Sequence, residues 1–145
     1  MEEDKIYMHT IALQLRGNDI DRFGHINNAV YFTYYDLGKT NYIETVLPSI
    51  DWEKKAIMVA QINVTFISQI FSTESIAVQT AVTRIGSKSF DLIQRVINTR
   101  TGEVKCLCKS TMVAYDLLAK KTIALSDELV SAMCAYEGKD LRSKK

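Results

Sequence analysis

The segment from Asn28 to Leu47 predicts a helix that must be buried on more than one side. Its apolar residues lie nearly all round a helical projection rather than along one stripe, and they are Val30, Tyr31, Phe32, Tyr34, Tyr35, Leu37, Tyr42, Ile43 and Val46. A helix with this pattern needs neighbours on several faces. Pro48 prevents its continuation, and Gly38 in its middle would let a sheet or a neighbouring chain approach the backbone closely. The sequence therefore predicts a central, covered helix.

Five segments of alternating apolar and polar residues predict strands, because a period of two is typical of strands with one buried face. One segment precedes the helix and four follow it: Ile6 to Leu15, Ile57 to Ile67, Ser75 to Ile85, Ser89 to Thr99 and Glu103 to Tyr115. This order predicts an α+β fold, βαββββ, in which a curved antiparallel sheet wraps around the long helix.

The two ends of the chain are expected to behave differently from this body. A short helix is predicted to begin at Ser126, and beyond Glu137 the sequence becomes mostly charged. We therefore expect residues 138–145 to form a frayed tail. Residues 1–137 are expected to form a single domain, since 145 residues with 47% hydrophobic content suit one core.

Composition excludes several classes of protein. The net charge is +1 and the basic residues are scattered, so no nucleic-acid partner is expected. No window reaches the roughly 18 apolar residues of a membrane span, and the charged residues 1–5 are unlike a secretory signal. We expect a cytoplasmic protein that does not enter membranes. Cys106, Cys108 and Cys134 have no accompanying cluster of ligand spacing, so we expect no metal and no other cofactor.

A polar, turn-forming stretch leads directly into the central helix. It runs from Asp19 to Asn28, and either Asn27 or Asn28 is suited to cap the helix. A helix N-terminus presents unpaired N–H groups and the positive end of the helix dipole, which together favour a developing oxyanion or an acyl carbonyl. Carboxylates, an imidazole and two amides meet here, so we expect chemistry at this point.

The same stretch resembles a known signature. Asp-x-Asp-x-x-Gly-His-x-Asn-Asn-x-x-Tyr-x-x-Tyr, from Asp19 to Tyr34, is similar to the signature of hotdog-fold acyl-CoA thioesterases, in the branch of 4-hydroxybenzoyl-CoA thioesterase and bacterial long-chain acyl-CoA thioesterases. The order of elements extends the resemblance from about Ile6 to Leu129. It implies an enzyme that hydrolyses acyl-CoA to free acid and CoA, with active sites between two chains of a homodimer or homotetramer.

The resemblance assigns the catalytic carboxylate to Asp21. Thioester hydrolysis needs a base that deprotonates water or a carboxylate that attacks the carbonyl carbon. The resemblance also implies that the backbone N–H of Asn28 polarises the thioester carbonyl. His25 hydrogen-bonds the substrate, orients Asp21, or has only a structural role in the loop. The competing interpretation is that Asp21 or Asp19 merely caps a turn, and for Asp19 a loop-fixing role is favoured.

The remaining site residues are expected to shape the pocket and to bind coenzyme A. Three residues of the signature are expected at the pocket: Gly24 for an unusual backbone angle, Asn27 to hold the loop, and Tyr31 to face the ligand. The turn of Ser87, Lys88 and Ser89 resembles the family segment along which coenzyme A runs, although an ordinary hairpin has the same composition. At the helix, Asp36 and Lys39 stand where the family usually has an acidic residue and an arginine.

Three alternatives remain open at this point. One is an acyl-thioester hydratase or dehydratase on the same fold, and another is a module that binds acyl-CoA without hydrolysing it. A third is a thioesterase that acts on acyl carrier protein instead of coenzyme A, since both carry a pantetheine arm. The absence of a Gly-x-Ser-x-Gly motif disfavours serine-based hydrolysis. Acyl length and aromatic preference are not specified by these patterns.

Overall fold

The protein folds as one antiparallel sheet with a long helix against it. The computed structural model describes residues 6–143. In chain order the elements are β1 (His9–Leu13), a 3₁₀ turn (Gly17–Asp19), α1 (Val30–Val46), β2 (Lys55–Phe66), β3 (Ile76–Ile85), β4 (Ser89–Asn98), β5 (Val104–Asp116), β6 (Lys121–Thr122) and α2 (Asp127–Glu137). The predicted α+β order is confirmed, with the short β6 as an addition.

The sheet has the order β1-β3-β4-β5-β2, and β6 pairs with the end of β5. All of these pairings are antiparallel. The two outer strands of this order are β1 and β2. β2 is 12 residues long, and among residues 6–143 it pairs with β5 and with no other strand. One whole edge of the sheet is therefore open in a single chain.

Helix α1 packs against the sheet through its tyrosines and through Gly38. Tyr34, Tyr35 and Tyr42 are buried, but Phe32 and Leu37 are 47% and 51% exposed. The predicted burial on several sides therefore holds for the face toward the sheet and fails, within residues 6–143, for the face of Phe32 and Leu37. The physical reason is that one sheet covers one side of a helix, and α2 covers only part of the remainder.

The C-terminal tail also differs from its prediction. Ile85 N–H donates to Leu141 O at 2.9 Å, and Ser143 N–H donates to Ile85 O at 2.8 Å. Leu141 is buried in the same hydrophobic cluster as α2. Residues 138–143 are thus docked on β3 rather than frayed, because one apolar side chain among the charges reaches the core. Residues 144 and 145 lie outside the described residues, and the single domain over residues 1–137 stays a prediction.

Gly38 sets how closely α1 approaches the sheet, and its substitution should destabilise the protein. A Cβ at this position would lie 2.9 Å from Gln94 Nε2, 3.0 Å from Thr80 Oγ1 and 3.1 Å from Val78 Cγ1. Overpacking of this kind costs about 1–3 kcal/mol, which exceeds the gain of up to about 1 kcal/mol in helix propensity. We expect Gly38→Ala to lower the free energy of unfolding, measured with urea. Gly17→Ala is the matched control, since a Cβ there meets nothing within 4 Å, and an equal loss in both variants would contradict the proposed contact.

Candidate functional site

The polar stretch before α1 folds into a tight hairpin. Ile20 and Ile26 form an antiparallel bridge, and Asp21 N–H donates to His25 O at 2.8 Å. Within the turn, Gly24 N–H donates to Asp21 O at 3.1 Å. Gly24 has a φ of 81°, in the left-handed region that closes a three-residue hairpin loop and that favours glycine. The glycine of the signature is therefore explained by the backbone of this turn.

The carboxylate of Asp21 is held by one of its two oxygens. Asp21 Oδ1 accepts hydrogen bonds from Phe23 N–H at 2.9 Å and from His25 N–H at 3.2 Å. Aspartate is favoured at the first position of such turns for this reason. The other oxygen, Oδ2, has no hydrogen-bond partner among the described residues. The turn therefore fixes the side chain and leaves one oxygen available for chemistry.

Two asparagines follow at the start of α1. Asn27 Oδ1 accepts from Ala29 N–H at 2.9 Å, and Asn27 O accepts from Val30 N–H at the same distance. Asn27 therefore holds the turn that precedes the helix. The N-cap position is Ala29, without a side-chain capping bond, so the prediction that Asn27 or Asn28 caps the helix was wrong. The backbone N–H of Asn28 has no hydrogen-bond partner within residues 6–143. It is the kind of unpaired donor that an acyl oxygen can use.

Asp19 is buried inside the loop and is not available for chemistry. It is 1% exposed, and its Oδ2 accepts from Arg16 N–H at 3.0 Å and from Tyr34 O–H at 3.1 Å. Burial alone would raise the pKa of Asp19, but these hydrogen bonds and the Arg16 guanidinium hold it below its usual value. The loop-fixing role expected for Asp19 fits this geometry.

The signature residues meet in one open pocket of about 630 Å³, here called the Asp21 pocket. Its lining consists of Asp21, Phe23, His25, Ile26, Asn27, Asn28, Tyr31, Phe66, Ile67, Ser68 and Gln69. The Tyr31 ring packs edge-on against Phe66, with centroids 5.2 Å apart, and the His25 ring packs against Phe71 at 5.1 Å. Burial raises the pKa of Tyr31 to about 12, so its hydroxyl is protonated at neutral pH.

A buried lysine that the sequence analysis missed holds the far wall of this pocket. Lys105 is 2% exposed, and its Nζ donates to Gln69 O at 3.1 Å and forms ion pairs with Glu74 and Glu103 at 2.9 and 2.6 Å. Burial alone would lower the pKa of Lys105, but the two carboxylates outweigh it and raise the pKa. In the sequence Lys105 stands on the outward side of a strand, where a lysine is ordinary, so no local signal marks it.

The predicted coenzyme A segment lies far from the Asp21 pocket within one chain. Ser89 pairs with Val113 on β5, whereas Phe66 of the pocket pairs with Cys106 on the same strand. Seven residues separate these two positions, which is about 23 Å along the strand. The structure therefore brings Asp21, His25, Asn27, Asn28 and Tyr31 together and leaves the 87–89 turn at the opposite end of the sheet.

Two negative findings apply to residues 6–143. None of their helices is both long and apolar enough to cross a membrane. Within the same range, no three His, Cys, Asp or Glu side chains are grouped closely enough to hold a metal ion.

The buried charge of Asp19 should make folding sensitive to acid. A carboxyl whose pKa is lowered on folding stabilises the protein above its unfolded value, near 3.8 here, and loses this contribution as the pH falls through the folded pKa. We expect Asp19→Asn to cost about 1–3 kcal/mol at neutral pH, measured by urea unfolding. The difference from wild type should shrink as the pH drops below 3.8. A difference that stays constant across this range would contradict the assignment.

Comparison with known proteins supports the fold and the family. FadM of Escherichia coli (strain K12), a long-chain acyl-CoA thioesterase, is 25% identical over 120 residues, covering 81% of this chain and 90% of FadM. An acyl-acyl carrier protein thioesterase of Arabidopsis thaliana, chloroplastic ATL3, is 26% identical over 77 residues, covering 51% of this chain and 40% of that protein.

Solved structures match the architecture as well. A thioesterase from Thermus thermophilus, solved with coenzyme A and Zn, superposes with a TM-score of 0.80 at 23% identity, covering 92% of this chain and 97% of the other. A 1,4-dihydroxy-2-naphthoyl-CoA thioesterase from Synechocystis superposes with a TM-score of 0.76 at 12% identity, covering 86% and 94%. The hotdog fold expected from the sequence is confirmed.

The sequence model of the thioesterase-like superfamily matches residues 15–133, a range that contains the hairpin, the Asp21 pocket and four of the long strands. The assignment as a thioester hydrolase is thereby confirmed, and the chain belongs to the thioesterase-like superfamily.

Proposed function

We propose that this protein hydrolyses acyl-CoA thioesters at the Asp21 pocket. The observation that carries the proposal is that Asp21 and Asn28 line one pocket at the start of α1. Within the described residues, one carboxylate oxygen of Asp21 and the N–H of Asn28 have no hydrogen-bond partner. Hydrolysis needs a group that activates or replaces water, and a donor for the developing oxyanion. The FadM relative supports acyl-CoA as the substrate class.

Asp21 can act in either of two ways. As a general base, Oδ2 takes a proton from water, the hydroxide attacks the thioester carbon, and the thiolate leaves as the tetrahedral intermediate collapses. As a nucleophile, Oδ2 attacks the same carbon and forms a mixed anhydride that water then hydrolyses. In both routes the N–H of Asn28 and the positive end of α1 stabilise the oxyanion. The geometry favours neither route over the other.

The neighbouring residues position the Asp21 carboxylate and the N–H of Asn28. His25 orients Asp21 through its backbone N–H, while its ring packs on Phe71. Asn27 holds the helix entry so that the next N–H stays unpaired. Gly24 permits the turn. The protonated hydroxyl of Tyr31 faces the ligand as a donor.

The complete site requires a second copy of the chain. One edge of β2 is unpaired in the part of the chain that the structure describes, and Met58, Val59 and Phe66 on this strand are exposed. Antiparallel pairing of two β2 edges satisfies these groups and gives a symmetric dimer. Such pairing places the end of β2, beside the Asp21 pocket, against the start of the partner's β2. The partner's 87–89 turn belongs to that same end of its sheet, so each site draws on both chains.

Coenzyme A then extends from the Asp21 pocket toward the 87–89 turn of the partner chain. Ser87 and Lys88 are exposed, and Ser89 completes a set of short donors and one cation that suits phosphate groups. No metal or other cofactor enters this scheme. A cytoplasmic location remains an expectation from composition.

Acyl carrier protein as the thiol carrier is the second candidate, and the ATL3 relative favours it. Both carriers present the same pantetheine arm, so the Asp21 chemistry is unchanged. Release of thiol from matched acyl-CoA and acyl carrier protein substrates separates the two. Hydration of an enoyl thioester, or binding of acyl-CoA without release of thiol, would instead support the hydratase or the binding module.

Replacing Asp21 tests the catalytic assignment. Asp21→Asn keeps the size of the side chain and the acceptor for Phe23 N–H, but it removes the base or nucleophile. General-base catalysis is worth roughly 10²- to 10⁴-fold, so kcat for acyl-CoA hydrolysis should fall at least about a hundredfold with a much smaller change in KM. The measurement is thiol release over a series of acyl-CoAs of graded length.

A matched control lies elsewhere in the chain. Asp51 Oδ1 accepts from Glu53 N–H at 3.0 Å, the same two-residue contact that Asp21 makes with Phe23, but Asp51 lies outside the Asp21 pocket. Asp51→Asn should leave kcat unchanged, and Asp19→Asn should reduce kcat less than Asp21→Asn. Near-normal turnover by Asp21→Asn would show that Asp21 is only a turn residue.

Mixing two variants tests whether each site is shared between chains. Lys88→Ala alone should raise KM for acyl-CoA by about two- to fivefold, the size expected of one exposed ion pair, with little effect on a pantetheine thioester that lacks the nucleotide. Asp21→Asn alone should be inactive. In a mixed dimer, Asp21 of one chain meets Lys88 of the other, so a component with the wild-type KM should reappear.

Two results would contradict the shared site. A mixed preparation with only the raised KM would place Lys88 beside the Asp21 of its own chain. A fully active monomer by light scattering at micromolar concentration would remove the need for a partner. Equal losses of Lys88→Ala on both substrates would indicate damage to the hairpin rather than loss of a phosphate contact.

A further inference from the structure

A second pocket lies farther along α1 than the Asp21 pocket. It has a volume of about 240 Å³ and lies between α1 and the open edge strand β2, with apolar walls from Phe32, Val59, Ile62 and Met112. Tyr31 lines the Asp21 pocket and Tyr35 lines the second pocket. These positions are four residues apart, a rise of about 6 Å along the helix. An acyl chain whose thioester lies at the helix start would therefore run into this second pocket, here called the Lys39 pocket.

The Lys39 pocket contains a buried ammonium group. Lys39 is 7% exposed, and its Nζ donates to Ile57 O at 3.2 Å and pairs with Asp36 Oδ1 at 3.0 Å. An ammonium group has three donors, so one has no partner among the described residues and remains for a ligand. The Asp36 side chain is 65% exposed, and its charge is therefore largely hydrated.

A buried amide lies in the same pocket and offers the complementary group. Gln94 is 1% exposed, and its Nε2 donates to Tyr35 O at 2.9 Å and to Thr80 Oγ1 at 3.0 Å. Its Oε1 accepts no hydrogen bond from the part of the chain that the structure describes. Gln94 lines the Lys39 pocket, so this acceptor is available to a ligand there. A plain alkyl chain would leave it unpaired.

We propose that Lys39 and Gln94 select acyl chains that carry a hydroxyl group far from the thioester, an inference that rests on the proposed function. A hydroxyl accepts from the Lys39 ammonium and donates to Gln94 Oε1 at once, whereas a carboxylate would face the amide oxygen without a proton to donate, and a methyl group would satisfy neither. The pocket thus suits a hydroxyl group, which can act as hydrogen-bond acceptor and as donor at the same time.

The position of Lys39 places this hydroxyl well along the chain. Lys39 follows Asn28 by eleven residues, about 16 Å of helix rise. The lysine side chain leans back toward the helix start, which shortens the distance but does not bring Nζ to the thioester. The substrate class is therefore a medium-length alkyl chain with a distal hydroxyl rather than an acyl group hydroxylated next to the carbonyl.

Matched pairs of substrates test the inference. We would measure kcat/KM for alkanoyl-CoAs of graded length and for the ω-hydroxyalkanoyl-CoAs of the same lengths. At the best length, wild type should favour the hydroxylated substrate by at least about tenfold, since a site built to hydrogen-bond a hydroxyl rejects the analogue that lacks it. Lys39→Met keeps the length of the side chain without its donors, and its preference should fall to about twofold or less. A wild-type preference for plain alkanoyl chains at every length would overturn the proposal.

A control variant separates selection from the structural role of Lys39 as a clamp between α1 and β2. Asp36→Asn removes the ion pair but keeps the ammonium donors, so it should retain the preference for hydroxylated chains. The melting temperature of each variant reports on the clamp. Equal loss of preference in both variants would assign the effect to distortion of the helix and would overturn the proposal.

A binding measurement keeps the test independent of catalysis and of the folding of any variant. Calorimetric titration of wild type with free ω-hydroxyalkanoic acids and alkanoic acids of equal length should show at least about tenfold tighter binding of the hydroxylated acid at the best length. If no thioester is hydrolysed but this difference is found, the proposed function fails and the pocket assignment stands. If thioesters are hydrolysed and the acids bind equally, only the pocket assignment fails.

Discussion

The close contact between α1 and the sheet at Gly38 is the constraint on which the rest of the structure depends. With no side chain at this position, the helix backbone approaches Thr80 and Gln94 directly. The same amide of Gln94 then bonds the carbonyl of Tyr35 on the preceding turn. These contacts fix the distance between the helix and the sheet, and they fix the rotation of the helix about its own axis. Its first turn meets the hairpin of the signature, because Tyr34 O–H reaches Asp19 at 3.1 Å.

One sheet can cover only one side of such a helix. This geometry explains why a single chain leaves apolar side chains of α1 exposed. Phe32 and Leu37 remain exposed on α1, and Val59 is exposed on the open strand β2. The proposed catalytic carboxylate and the proposed phosphate-binding turn also lie at opposite ends of the sheet. A two-fold axis beside β2 addresses both problems, since it pairs the open edge and brings opposite ends of two sheets together. The exposed apolar surface and the divided site thus point to the same arrangement.

Local patterns predicted the elements well, because periodicity and turn chemistry depend on neighbouring residues. The ends of the predicted strands lie within about three residues of the observed ends. Gly24, where an unusual backbone angle was expected, has a φ of 81°. The sequence could not reveal contacts between distant segments. Lys105 reaches Gln69 and Glu74 across more than thirty positions, and the docking of Leu141 on β3 depends on a single apolar residue in a charged tail. The predicted burial of α1 on several sides is incomplete in one chain for the same reason, since the pattern shows that a face needs a partner but not which chain supplies it.

The two aspartates of the signature, Asp19 and Asp21, show how different surroundings suit the same side chain to different roles. Asp19 is enclosed by donors from Arg16 and Tyr34. A carboxylate in that position has its acceptor capacity used inside the protein, so it can stabilise the loop but cannot take a proton from water without breaking those bonds. Asp21 receives its two backbone hydrogen bonds on a single oxygen. Its other oxygen can therefore meet a substrate without unfolding the loop that holds it. In the proposed mechanism this oxygen reacts, and the hydrogen bonds to the first oxygen of the same carboxylate hold it in place.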